Sequence, residues 1–217
     1  MTDKQHLLTK YLPNDAVPII NRWISDTGCI FKISRSRRSK LGDYRAPYQG
    51  ATHRITINQD LNKYAFLITT VHEFAHLKTW KEFKGRVKPH GIEWKTNFQV
   101  LMEPFFKLGI FPEDIAIALL RYMKNPAASS CTDINLYRIL KQHNFLSPTL
   151  DTIDTLPDNS YFQIRNGRTF QKLEKLRKRF KCREIPSGKL YLFSPIAEVV
   201  PLGDSEQTPT TQHILIK

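Results

Sequence analysis

Apolar residues recur along this chain with two different periods, and the change of period divides it. Val17, Ile20 and Ile24 share one face of a predicted helix over 15–26, with Pro18 tolerated in its first turn. A shorter helix is expected over 5–12. CIFKIS (29–34) alternates through Cys29, Phe31 and Ile33, and THRITIN (52–58) through Ile55 and Ile57. Period two predicts strands. Between them, 35–50 is polar and basic and contains Gly42, Pro47 and Gly50, which predicts a loop or a long hairpin arm. From Asn62 to Phe83, Tyr64, Leu67, Ile68, Val71, Phe74 and Ala75 return at helical spacing and predict a long amphipathic helix, ended by Gly85 and Pro89. A second long helix follows Gly91 and carries Trp94, Phe98, Leu101, Met102, Phe105 and Phe106, with a kink expected at Pro104. Pro112, Glu113 and Asp114 open a third, which ends near Asn125 and Pro126. Residues 133–144 read as helical again.

After Pro148 the period shortens. SYFQIR, NG and RTFQ form one hairpin signal, with Asn-Gly suited to a type I′ turn; RFKCREI, PSG and KLYLF form another. In the second, Phe180 and Cys182 share a face, as do Leu190 and Leu192. The expected organisation is a domain over 1–125, a linker and helix over 126–150, a basic antiparallel β module over 151–203 and a flexible tail over 204–217. The fold class is α+β: a helical core with a small antiparallel sheet, then a small C-terminal β module.

Composition narrows the class. The 217 residues are 41% hydrophobic and 11% aromatic, enough for a packed core. No apolar run reaches the roughly 18–20 residues a membrane helix needs. The first residues lack a secretory layout, and Cys29, Cys131 and Cys182 form neither a disulfide framework nor a CxxC pair. The expectation is a soluble, cytoplasmic protein, with association with the nucleoid as a further expectation and no membrane partner.

The formal net charge is +13. Over 32–45, Lys32, Arg35, Arg37, Arg38, Lys40 and Arg45 oppose Asp43 alone. Over 161–190, Arg165, Arg168, Lys172, Lys175, Arg177, Lys178, Arg179, Lys181, Arg183 and Lys189 oppose Glu174 and Glu184. These two stretches account for the whole excess, so the charge is local. Local charge of one sign points to a polyanion, nucleic acid first. Candidate phosphate contacts are Arg35, Arg37, Arg38 and Lys40 in the first stretch and Arg177, Lys178, Arg179, Lys181 and Arg183 in the second. Tyr44, Tyr48, Tyr161, Phe162, Phe170, Phe180 and Tyr191 lie in or beside them, as rings that could stack on unpaired bases. The opposing reading is a solvated basic face whose aromatics are core.

The chemistry concentrates in TTVHEFAHLKTW (69–80), where His72-Glu73-x-x-His76 sits mid-helix. Side chains four apart on a helix lie one turn apart on one face, so both imidazoles reach a single ion. Zinc takes such nitrogen ligands, and Glu73 projects beside the pair as a general base for water made acidic by the metal. Chance supplies such a motif in roughly one chain per hundred of this composition. A third ligand is needed. His90, in KPHGIEWK (88–95), stands just beyond a Gly/Pro turn; Glu82, Glu93 and Glu103 are rivals. His53 reads as a half-exposed strand residue, His6, His143 and His213 as surface, and Trp80 and Trp94 as core, with Trp94 able to brace the turn after His90. Cys29 and Cys182 read as small apolar residues, and Cys131 as exposed in a linker without an activating partner.

HEFAH followed by HGIEW is similar to the SprT-like family of zinc metallopeptidases, which includes the Spartan proteases, and the strand–loop–strand RSRRSKLGDYRAP…HRITIN adds to the likeness over roughly 15–110. The resemblance implies a zincin-like metallopeptidase core, one Zn2+ held by His72, His76 and His90, and Glu73 as catalytic base. It also implies cleavage of proteins bound or crosslinked to DNA, with non-sequence-specific DNA contact. Many relatives carry a C-terminal zinc ribbon of CxxC pairs; this chain has none, so a second zinc is not implied. The alternative is a DNA-binding protein with a structural or inactive HExxH site.

Overall fold

The computed structural model describes residues 7–37, 40–126, 133–144 and 151–203. Arg38, Cys131, His6, His213, the tail at 204–217 and most of the 126–132 linker lie outside the described residues. The chain divides into two compact units, 1–145 and 146–217.

In the first unit, Leu8 and Leu12 are buried ahead of helix α1 (Val17–Thr27). Gly28 ends α1 in the left-handed conformation, where its N–H bonds back to Ile24 and Ser25. Three short strands follow: β1 (Ile30–Ser34), β2 (Gly42–Arg45) and β3 (Arg54–Asn58). Their order is β1-β3-β2, with β1 parallel to β3 and β2 antiparallel to it. The expected antiparallel sheet is thus a mixed one. β3 enters between the two earlier strands. Alternation tells which residues face inward but not which strand lies alongside.

Helix α2 (Lys63–Phe83) is capped by Asn62, whose side chain accepts from the Ala65 N–H at 2.9 Å. The same amide donates to Leu140 O at 2.6 Å, which ties the helix start to α5 (Ile134–Gln142). The predicted stripe on α2 is buried, but so are Phe66, Thr69, Thr70, His72, Glu73 and Leu77. A helix buried nearly all round is a central element, not an amphipathic cover. The sheet packs on one side of it, and α1 and α3 (Ile92–Lys107) on others. Helix α4 (Glu113–Met123) packs on α3, where Gln99 Nε2 donates to Met123 O at 2.7 Å. Leu136 and Leu140 bring α5 into this same core.

The second unit is one antiparallel sheet. Its strands are β4 (Asp151–Thr152), β5 (Tyr161–Gln163), β6 (Thr169–Lys175), β7 (Phe180–Glu184), β8 (Leu190–Phe193) and β9 (Glu198–Leu202), in the order β4-β9-β5-β6-β7-β8. The core is Ile153, Leu156, Phe162, Phe170, Phe180, Cys182 and Val199, with Tyr191 and Phe193 packed on it. Leu190 and Leu192 do share a face, but it is the solvent face. The β5–β6 turn is not type I′. Gly167 N–H bonds to Ile164 O at 2.8 Å and Gly167 alone in the turn has positive φ, so a type I turn is followed by a left-handed glycine. Lys172, fully inside, donates to Leu156 O at 2.6 Å and lies 4.5 Å from the centre of the Phe180 ring.

Asn62→Ala removes the α2 cap and the tie to α5 together. The expected loss is about 1–2 kcal/mol of stability, read from urea unfolding of the whole chain. Asn62→Asp, which keeps the cap, recovers part of it.

Candidate metal centre

His72 and His76 stand one turn apart on α2, as their spacing demands. The turn from α2 into α3 then brings His90 back over them. Lys84 closes α2 at φ 51, Gly85 follows at φ 78, and His90 itself holds φ 59 just before Gly91, the N-cap of α3. A left-handed histidine is uncommon, and here it aims the ring at the helix it has just left. Gly91 has no room for a side chain: a Cβ there would lie 2.9 Å from Lys88 O.

The result is close convergence. His72 Nε2 lies 3.2 Å from His76 Nε2 and 3.2 Å from His90 Nε2. One ligand atom from each ring fits within 4.8 Å of the others. Burial, with mutual repulsion, pushes His72 down to about 2 and His76 to about 3, and burial lowers His90 as well. All three are neutral near pH 7. A neutral imidazole nitrogen offers one proton or one lone pair, so His72 Nε2 cannot satisfy both neighbours. A single cation accepts all three lone pairs. The donor set therefore fits a metal ion, with His72 deepest and His76 and His90 open on one side. Glu82, Glu93 and Glu103 are not part of the cluster.

Trp94 forms the floor. It is fully buried, with its ring centre 4.6 Å from His72, 5.3 Å from His76 and 4.7 Å from His90. It stacks in turn on Phe98, 5.3 Å away. Across the α2–α3 contact, Asn97 Nδ2 donates to Thr79 Oγ1 at 3.0 Å and to Glu82 Oε2 at 2.6 Å, which holds in register the two helices on either side of the His90 turn.

Glu73, next to His72 in sequence, lies under β2. It is 6% exposed, and burial first, then the nearby Asp43, push its carboxyl up to about 8. The Tyr44 backbone N–H donates to it and Arg37 and Lys40 act in the opposite sense. The strand passes so close that Gly42 is obligatory: a Cβ there would lie 2.4 Å from Glu73 Oε1 and 2.8 Å from Thr69 Cγ2. Tyr44 packs its ring parallel to that of His76, and its hydroxyl is 2.8 Å from His53 Nδ1. His53 is buried just before β3, not half-exposed on it, and burial lowers its pKa. The HExxH motif does not announce Gly42, Tyr44 or His53, although all three lie in the strand–loop–strand that the resemblance covers.

The two basic stretches differ. Arg37 lies inward: Nε donates to Asn58 Oδ1 at 2.8 Å and Nη1 to Thr56 Oγ1 at 3.1 Å. Lys40 is paired with Asp43 at 2.7 Å. Arg35 is exposed. Arg177, Lys178 and Arg179 form the exposed tip of the β6–β7 hairpin, and no ion pair engages them among the described residues. Lys181 pairs with Glu174 at 2.9 Å, and Arg183 is exposed on β7. Phe162, Phe170 and Phe180 are core, so those rings are not available for stacking.

Gly42→Ala forces Glu73 or β2 to move. The expected effect is a loss of about 1–3 kcal/mol, measured by chemical unfolding.

Residues 17–111 match the family model described as "SprT-like family". Among curated relatives, Protein SprT of Erwinia tasmaniensis is 40% identical over 85 residues, which is 38% of this chain and 46% of the relative. Protein SprT of Shigella dysenteriae serotype 1 is 38% identical over 72 residues, 31% of this chain and 43% of the relative. Protein SprT of an Enterobacter species is 50% identical over 42 residues, 19% of this chain and 25% of the relative. The matched segments span less than half the length of these relatives. No solved structure matches the chain. The family match brackets the strands, the HExxH helix and the His90 turn in one segment, and the likeness to the SprT-like family rests on that segment, under half of the chain.

Proposed function

We propose that the chain is a zinc-dependent endopeptidase with a zincin-like core, acting on proteins bound or crosslinked to DNA. The observation that carries this reading is the convergence of three neutral imidazoles beside a buried carboxylate. His72, His76 and His90 would hold the ion. Bound there, zinc supplies a Lewis acid for the scissile carbonyl and makes water acidic near neutral pH.

Glu73 does the proton work. In its ionised form, which a cation bound by the three histidines would favour, it takes a proton from the attacking water and returns it to the amide nitrogen as the C–N bond breaks. The Tyr44 N–H holds the carboxylate in place and β2 covers it, which keeps the base oriented and excludes bulk water from its far side. A structural site has no use for a base so placed, and this argues against an inactive HExxH motif.

The DNA part of the reading rests on the β6–β7 hairpin. Its exposed cations meet phosphates without reading bases, and a DNA-bound enzyme meets attached proteins at raised effective concentration. With the neighbouring phenylalanines in the core, binding through phosphates accounts for the hairpin better than stacking does. Arg35 adds an exposed cation in the first unit; Arg37 and Lys40 are held by the fold.

The purified chain is expected to carry one zinc and to cleave a DNA-crosslinked protein. Glu73→Gln keeps the metal and lowers kcat by about 10²–10⁴-fold, whereas His90→Ala loses the metal. Full cleavage by Glu73→Gln with zinc bound would overturn the role given to this residue.

DNA affinity is expected to fall steeply with salt. Replacing Arg177, Lys178 and Arg179 by Gln lowers the slope of log K against log salt by roughly 0.9 for each phosphate that is no longer neutralised. Binding that ignores salt, read by fluorescence anisotropy, would remove the electrostatic reading.

A further inference from the structure

Tyr44 meets both His76 and Glu73. Its main-chain N–H donates to the Glu73 carboxylate. Its ring lies 6.3 Å from the His76 ring, centre to centre, with 6° between the planes. Its hydroxyl is 2.8 Å from His53 Nδ1. A phenol donates and an unprotonated ring nitrogen accepts, so the bond runs from Tyr44 to His53. His53 is itself wedged: it is 7% exposed and sits edge-on to Trp80, 5.0 Å away and one turn beyond His76 on α2.

Two groups of α2 that must act together, a ligand and a base, are therefore both held by one residue of a neighbouring strand. That strand is short. β2 spans four residues and is hydrogen-bonded to the sheet along one side only, through β3. Gly42 allows the close approach at one point, and the Tyr44 ring fills the gap two residues on. A ring tied down at its hydroxyl cannot swing about χ1 away from His76. Untied, it could, and the N–H that holds Glu73 would shift with the strand.

We infer that the Tyr44–His53 pair is a positioning device that fixes His76 and Glu73 relative to one another by clamping β2 onto the metal-binding helix. The hydroxyl is engaged by His53, so Tyr44 acts through its neighbours and is not itself a proton donor to a reacting group. Imidazole ligands held by outer partners bind metal more tightly because the ring arrives already oriented. Here the partner is a stacked ring instead of a hydrogen-bonded carboxylate, anchored from behind by a second histidine that is not a ligand.

The test uses Tyr44→Phe, His53→Ala, the double variant, and His53→Gln, whose amide oxygen can still accept the phenol. Zinc affinity is read by competition with a chromogenic chelator, the thermal midpoint by circular dichroism, and kcat and KM on a cleavable crosslinked protein. Tyr44→Phe and His53→Ala are each expected to weaken zinc binding about tenfold and to lower kcat about tenfold with KM nearly unchanged. The double variant should be no worse than either single change, and His53→Gln should recover most of both losses.

Unaltered zinc affinity in Tyr44→Phe, additive losses in the double variant, or an effect confined to the thermal midpoint would overturn the inference. The activity arm rests on the peptidase reading, but the affinity arm does not. If wild type binds zinc and cleaves nothing, the peptidase reading falls and the chelator titration still decides the role of the pair.

Discussion

Three uncharged imidazoles cannot share one small volume unless something satisfies their facing lone pairs. In this chain His72 Nε2 faces two others at 3.2 Å, and the surrounding fold enforces that approach. The α2–α3 contact, pinned by Asn97 across the two helices, sets the distance between the pair on α2 and the ring on the following turn. His90 takes up a left-handed backbone at φ 59, a conformation that costs on the order of 1–3 kcal/mol for a residue with a side chain. Trp94 closes the base against all three rings. Packing over-determines the strained residue, which is the condition under which such strain persists.

Between α2 and β2 the limiting factor is space. A strand crosses the general-base candidate at a distance that admits no Cβ at Gly42, and the next inward residue, Tyr44, supplies both a main-chain donor and a flat ring. The carboxylate is thus dry but not isolated. Burial and Asp43 push it toward the neutral form, while the N–H of Tyr44 and the cations Arg37 and Lys40 favour the ionised one. The loop that looked basic in composition is part of this local balance, with its guanidinium turned inward to Thr56 and Asn58.

The second unit is of a different kind. Its core is small and aromatic, and Lys172 is drawn into it because Leu156 O, the Asp158 carboxylate and the Phe180 face receive the ammonium group. What it leaves outside is the cationic hairpin tip at 177–179. Arg37 and Lys40 of the first basic stretch are held by the fold, whereas Arg177, Lys178 and Arg179 of the second are presented to solvent. This division underlies the assignment of phosphate binding to the hairpin in the proposed function.

Much of the architecture was legible along the chain. Helical and strand periods marked α1 to α5 and β5 to β8 close to their observed places, because burial of one face repeats with the geometry of the backbone itself. HExxH carried its own meaning for the same reason: two residues four apart on a helix meet whatever surrounds them. Pairing and enclosure did not follow from such local rules. Alternation in 29–34 and 52–58 was silent on β3 entering between β1 and β2, and the stripe on α2 did not reveal a helix buried nearly all round. His90 over its rivals, Gly42 beneath the strand, Tyr44 on His76, and the inward turn of Arg37 depend on segments far apart in sequence brought within a few ångströms. Only tertiary packing sets those distances, since each is a contact between elements and not a property of any one of them.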